Sequence, residues 1–167
     1  MVGYKFCEKF IAKSGQENFK ITVFGEEPRR AYDRVHLSEY FAGKSSDDLS
    51  LSTSSWYQEN NITLNTSELV TNINRENKTI STHLDQIHAY DYLVLATGSS
   101  AFVPPIKGVE KEGVFVYRTI EDLDAIMAYA EKIKINGATE AAVLGGGLLG
   151  LEAAKAIEVD GKTIETT

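Results

Sequence analysis

Residues 141–157 read AAVLGGGLLGLEAAKAI, and Gly145, Gly147 and Gly150 stand in the spacing G-x-G-x-x-G. The chemistry this spacing can do is to cradle a pyrophosphate. The first glycine makes a tight turn, the second lets the backbone approach the phosphates without a Cβ in the way, and the third permits close packing of the following helix. The helix start then offers free N–H groups and the positive end of a dipole to the anion. The spacing alone also fits a ligand-free turn. Its context favours the cradle: an apolar run, Ala141–Leu144, precedes it, and a helical pattern, Leu148–Ile157, follows.

A second set of residues near the N-terminus repeats the pattern in part. Gly3 opens a helical stretch, a short apolar run Ile21–Phe24 follows, and Glu26 stands just beyond it. If Gly3 is the last glycine of another G-x-G-x-x-G, its helix and its strand-terminal acid follow in the expected order.

These residues need elements to position them. GYKFCEKFIAK places Phe6, Phe10 and Ile11 at helical spacing, and Ile21–Phe24 predicts a buried strand. Residues 28–55 predict a loop with a short helix around YDRVHLSEYF, and residues 56–89 a meander of short strands marked by Ile62, Leu64, Val70 and Ile80. YDYLVLATG is the strongest strand signal, apolar on consecutive positions, as a strand covered on both faces would be. FVPPIKGV predicts a proline-fixed extended connection. In RTIEDLDAIMAYAEKI, Thr119 and Asp122 form a capping-box-like start to a helix whose Leu123, Ile126, Met127, Ala130 and Ile133 share a face. Helices alternating with strands predict an α/β fold with a parallel sheet.

Composition bounds the function. The 167 residues suffice for one domain or a little more, and 43% hydrophobic with 25% charged residues is ordinary for a globular protein. A net charge of -7 argues against a nucleic-acid partner, since an acidic surface repels phosphate backbones. No apolar run approaches the roughly 20 residues a membrane span needs, and MVGYKFCEKF does not read as a signal peptide. The one cysteine, Cys7, cannot form an internal disulfide, which suits a cytoplasmic address. The sequons at Asn61, Asn65 and Asn77 are read as chance, and His36, His83 and His88 show no metal-ligand spacing.

The segments ITVFGEEPRRAYDRVHLSEYF, YDYLVLATGSSAFVPPIKG, VYRTIEDLDAI and AAVLGGGLLGLEAAKAI, in that order, resemble the FAD/NAD(P)H-binding module of the pyridine-nucleotide flavin reductases. The subgroup it is most similar to is the N-terminal part of the large subunit of assimilatory NAD(P)H nitrite reductase. EEPRRAYDRVHLS is its most specific piece, because rubredoxin and ferredoxin reductases carry RPPLSK there. The resemblance implies a Rossmann-like FAD/NAD(P)-binding fold with a β-meander, incomplete at both ends. Residues 1–138 would form an FAD-binding domain lacking its first strand and glycines, and 139–167 the start of an NAD(P)H-binding domain.

Residue by residue, the resemblance implies that Glu26 accepts hydrogen bonds from the adenosine ribose of FAD, with Glu27 as the fallback. It places Arg34 near the FAD phosphates and the Val70 backbone at the adenine edge. Thr97 and Gly98 fall where the chain passes close to FAD, Arg118 near the flavin, and Glu152 near the nicotinamide. Glu39 departs from the pattern, since the LSK relatives carry lysine there. The implied chemistry is hydride transfer from NAD(P)H to FAD. A disulfide relay is excluded, since Cys7 has no partner and lies on the first helix. The sirohaem and iron–sulfur cluster of nitrite reductases belong to a C-terminal half that this chain lacks. The resemblance further implies a homodimer or a small-subunit partner in the full-length family.

Two readings compete: a piece of a ferredoxin-, rubredoxin- or oxygen-reducing relative, and a non-catalytic remnant that binds nucleotide weakly. The missing strand and glycines predict poor FAD retention. EVDGKTIETT, with its Asp160-Gly161 hairpin signal, echoes NRENKTIST at 74–82 and suggests an internal deletion. No second strand of the NAD(P)H domain, with its ribose-binding acid, is expected before the chain ends.

Overall fold

The computed structural model describes residues 1–14, 18–134, 140–157 and 164–166. The chain divides into two compact units, Met1–Tyr32 with Ser50–Gly98, and Asp33–Leu49 with Ser99–Thr167.

The first unit is built on helix α1 (Val2–Ser14), strand β1 (Ile21–Phe24), short helix α3 (Trp56–Glu59) and strand β2 (Ile62–Asn65). β1 and β2 pair in parallel, with Ile21 opposite Ile62 and Val23 opposite Leu64. The helix buries Tyr4, Cys7 and, in part, Ile11 against Tyr57, Ile62, Val23 and Leu64. Those three lie at i, i+3 and i+7, one helical face. Phe6, assigned to that face by its spacing, is 39% exposed. It stacks on Phe10 instead, which meets Phe19 edge-on. The buried stripe is thus one position away from the phenylalanines, because the aromatic Tyr4 and the small Cys7 fit beneath Trp56 and Tyr57.

An antiparallel meander follows, of β3 (Val70–Asn74), β4 (Thr79–Thr82) and β5 (Ile87–Ala89). Backbone bonds from Glu68 N to Gly25 O and from Ser67 N to Glu27 O tie its entry to the end of β1.

The stretch 90–98, expected as the strongest and most buried strand, forms no strand. Tyr92 is 85% and Leu95 67% exposed. β1 hydrogen-bonds only to β2 within its two-stranded sheet. A β-run becomes a strand only when a neighbouring backbone takes up its N–H and C=O groups, and hydrophobicity alone does not supply that neighbour.

The second unit holds short helix α2 (Ser38–Phe41), helix α4 (Ile120–Lys134), β6 (Ala141–Val143), α5 (Leu148–Ile157) and β7 (Ile164–Thr166). α4 starts as its sequence predicts. Asp122 Oδ2 accepts the N–H groups of Thr119, at 2.8 Å, and Arg118, at 3.1 Å, while the Thr119 hydroxyl accepts the N–H of Asp122 at 3.2 Å. These bonds satisfy donors that a helix start leaves without partners. Ile120 and Leu123 are fully buried.

β6 and β7 pair in parallel, Ala141 opposite Ile164 and Val143 opposite Thr166. With α5 between them they make a strand–helix–strand unit. The second strand that the sequence reading left out is therefore present. Asp160 and Gly161, read as a hairpin turn, lie outside the described residues.

Candidate functional site

In the second unit the glycine turn joins β6 to α5. Gly145 has φ +129°, a conformation that side chains disfavour. Ideal Cβ atoms on Gly145, Gly146 and Gly147 would meet nothing within 4 Å. Open space therefore lies over the turn, and a bulky anion can approach the backbone there. A Cβ on Gly150 would overlap the carbonyl oxygen of Gly145. Glycine at 150 is required by the turn folding back on its own helix, not by packing against the sheet. The first intrahelical bond runs from Leu151 N to Gly147 O, at 3.0 Å, so the N–H groups before Leu151 point out of the helix start toward the open space. These features fit a pyrophosphate.

Glu152 lies one turn into α5. Its Oε1 accepts a hydrogen bond from Ser38 Oγ. Phe41, three residues along α2, stacks on Tyr117 with ring centroids 6.1 Å apart. The Tyr117 hydroxyl is buried and has no hydrogen-bond partner among the described residues. Burial, and then the Glu152 carboxylate, push the Tyr117 phenol up to about 12. Arg34 lies half-buried in the turn before α2, and Arg118 half-buried at the start of α4. Three expected residues, Arg34, Arg118 and Glu152, thus sit on segments that Ser38 and Phe41 tie together. Neither Ser38 nor Tyr117 is marked by the sequence, because their partners are remote. Glu39 forms an ion pair with Lys44 at 2.6 Å, so its charge is locally compensated.

In the first unit, Gly3 lies in the first turn of α1, and a Cβ there would stand 3.5 Å from the Ala96 Cβ. The helix start therefore runs beside the segment that carries Thr97 and Gly98. Both are exposed, and Gly98 has φ 73°. Glu26 follows β1, exposed, with no hydrogen bond or ion pair among the described residues. Its neighbour Glu27 is engaged: Tyr32 donates its hydroxyl to Glu27 Oε2 at 2.7 Å. Val70 opens β3 opposite Thr82, beside a bulge at Val70/Asn72. Cys7 is buried at 3% exposure, and burial pushes its thiol up, away from the reactive thiolate. Among the described residues no cluster of His, Cys, Asp and Glu could hold a metal ion. No described helix is long and apolar enough to cross a membrane.

A strand–glycine turn–helix–strand unit with an antiparallel meander defines a Rossmann-like α/β dinucleotide-binding protein. The chain belongs to the pyridine nucleotide-disulphide oxidoreductase family, whose profile matches residues 7–165. It is 48% identical over 158 residues to the nitrite reductase (NADH) large subunit of Escherichia coli K12, covering 95% of this chain and 18% of that protein. It is 40% identical over 153 residues to the assimilatory nitrate reductase electron transfer subunit of Bacillus subtilis, covering 91% of this chain and 19% of that one. The chain spans about a fifth of the length of these relatives. Among solved structures, it is similar to NADH:rubredoxin oxidoreductase from Clostridium acetobutylicum, with a TM-score of 0.78 and 29% identity, covering 96% of this chain and 41% of that one. A NAD-dependent persulfide reductase from A. fulgidus gives a TM-score of 0.85 at 29% identity, covering 98% of this chain and 31% of that one.

Proposed function

We propose that this chain supplies dinucleotide-binding parts of an NAD(P)H:FAD oxidoreductase of the nitrite reductase large-subunit type. The observation that carries the reading is the β6–glycine turn–α5–β7 unit, whose turn leaves open space over three glycines, with a backbone conformation at Gly145 that disfavours side chains and no room for a Cβ at Gly150. When bound, FAD accepts hydride from NAD(P)H.

The chain's own residues bind and orient. Gly145 and Gly147 let the backbone meet the NAD(P)H pyrophosphate, and the N-terminus of α5 lends its N–H groups and dipole. Glu152 stands for the nicotinamide end. Gly3 permits close approach of α1, and Glu26, without a partner among the described residues, would accept the two ribose hydroxyls of FAD. Arg34 and Arg118 would offer donors to FAD, Val70 a backbone edge to its adenine, and Thr97 with Gly98 a bare turn against the cofactor. Residues 1–138 would serve FAD and 139–167 NAD(P)H. A cytoplasmic address, and a homodimer or small-subunit partner in the longer protein, complete the reading.

The experiment is titration of the purified chain with NADH and with FAD, followed by NADH fluorescence and flavin absorption, and then mixing under anaerobic conditions. Binding of NADH, weaker binding of FAD, and bleaching of the bound flavin by NADH are the expected results. Absence of binding by either dinucleotide would sink the proposal.

A further inference from the structure

Glu152 and Tyr117 form an asymmetric pair on one face of α2. Ser38 and Phe41 stand at i and i+3 of that helix, so their side chains are neighbours. Ser38 holds Glu152 by its Oε1, and Phe41 holds the Tyr117 ring. What remains is one acceptor and one donor. Glu152 Oε2 makes no hydrogen bond among the described residues, and neither does the buried Tyr117 hydroxyl. A buried hydroxyl without a partner is costly, and native structures seldom leave one. The charge of Glu152 is felt at Tyr117, where it adds to burial in holding the proton on the phenol. Tyr117 is therefore a donor throughout the neutral range.

We propose that Tyr117 is a specificity-determining residue that, with Glu152, reads an HN–C=O edge. The hydroxyl donates to the carbonyl oxygen, and Glu152 Oε2 accepts the N–H. A carboxylate accepts only and a protonated phenol donates here, so the pair matches an amide edge and mismatches an ester or an ionised carboxylate, neither of which offers Glu152 a proton. Two ligands of the proposed function carry such an edge, the nicotinamide carboxamide and the pyrimidine ring of the flavin. The inference rests on that function, and its test separates the two sources.

The wild-type chain and Tyr117→Phe are titrated with NADH, with its thioamide analogue, with FAD and with 4-thio-FAD. Phe keeps the stack on Phe41 and removes only the donor. The expected result is that Tyr117→Phe weakens one of the two natural dinucleotides about 5- to 10-fold, the value of one hydrogen bond. The wild type should lose a similar factor when that ligand's carbonyl is replaced by the poorer acceptor C=S. The two losses should not add in the variant, a pattern that a purely structural role of Tyr117 would not produce. A loss confined to NADH assigns the edge to the carboxamide, and a loss confined to FAD assigns it to the flavin. Unchanged affinity for both, or losses that add in full, overturns this inference and leaves the proposed function standing. Failure of the wild type to bind either dinucleotide overturns both.

Discussion

The carbonyl oxygen of Gly145 occupies the place a Cβ on Gly150 would need. The first and third glycines of the motif are thus packed against each other, and the middle one is left bare. Gly150→Ala must push the turn off its helix, at a cost of about 1–3 kcal/mol, as for other overpacked sites. NADH affinity should fall at least about tenfold, because the backbone donors move with the turn. Gly146→Ala is the control. Nothing lies within 4 Å of its Cβ, so stability should stay within about 0.5 kcal/mol. Denaturant unfolding and NADH titration read both effects, and a Gly150→Ala protein as stable as wild type would contradict the geometry.

The neighbouring acids Glu26 and Glu27 should separate by role. Glu26 is exposed and without a partner among the described residues, whereas Glu27 accepts the hydroxyl of the buried Tyr32. Glu26→Ala should lower FAD affinity about tenfold, the loss of a charge-assisted hydrogen bond, with stability unchanged within about 0.5 kcal/mol. Glu27→Ala should cost about 1–2 kcal/mol of stability by removing the carboxylate that accepts from the Tyr32 hydroxyl. Flavin titration and thermal unfolding of the two variants, side by side, check the assignment. The reverse pattern would make Glu27 the ribose acid.

His36 and Asp33 make a small pH-dependent pair, Nδ1 to Oδ2 at 2.9 Å. The hydrogen bond to Asp33 raises His36 above its ordinary 6.5. The same bond to His36, foremost, lowers Asp33 below 3.8. The His36 contribution is present in full below 6.5 and is lost as pH rises through the higher folded value. The Asp33 contribution is present above 3.8 and is lost as pH falls through the lower folded value. The pair therefore acts fully only between those limits. In a proton NMR titration, His36 should show a midpoint above 6.5 that Asp33→Asn brings back down. A midpoint indifferent to that substitution would show that the bond does not form in solution.

Segment 92–103 carries an apolar row in water, with Tyr92 85%, Leu95 67% and Phe102 86% exposed. Extended, apolar backbone without a sheet partner invites association. The chain should bind a hydrophobic dye and scatter light increasingly with concentration. Leu95→Lys should reduce both without lowering the unfolding midpoint, since Leu95 is mostly exposed. A midpoint that falls instead would mean Leu95 is buried in solution.

Much of the site was legible in the sequence where the physics is local. The glycine turn and the Thr119/Asp122 cap depend on neighbours within a few residues, and they stand where the pattern places them. Strand Ile21–Phe24 also forms where expected, but only by pairing with the distant Ile62–Asn65, and it is half-buried rather than buried. The choice of Tyr4 over Phe6 for the buried face of α1 was not legible, because both are aromatic and only the shape of the facing Trp56 and Tyr57 decides. The strand β7 was missed for a related reason. Its three residues carry little signal until β6 lies beside them.

The α/β class, the helix cap and the strand–glycine turn–helix succession at 141–157 follow from the sequence by itself, since steric rules for glycine, capping and periodicity act along the chain. The tertiary structure alone decided that YDYLVLATG lies exposed rather than buried, that Glu27 is occupied while Glu26 is open, and that Ser38 and Tyr117 flank Glu152. Each of these depends on which backbone or side chain comes from far along the chain to meet it, and hydrogen bonds and burial are settled only when that partner arrives.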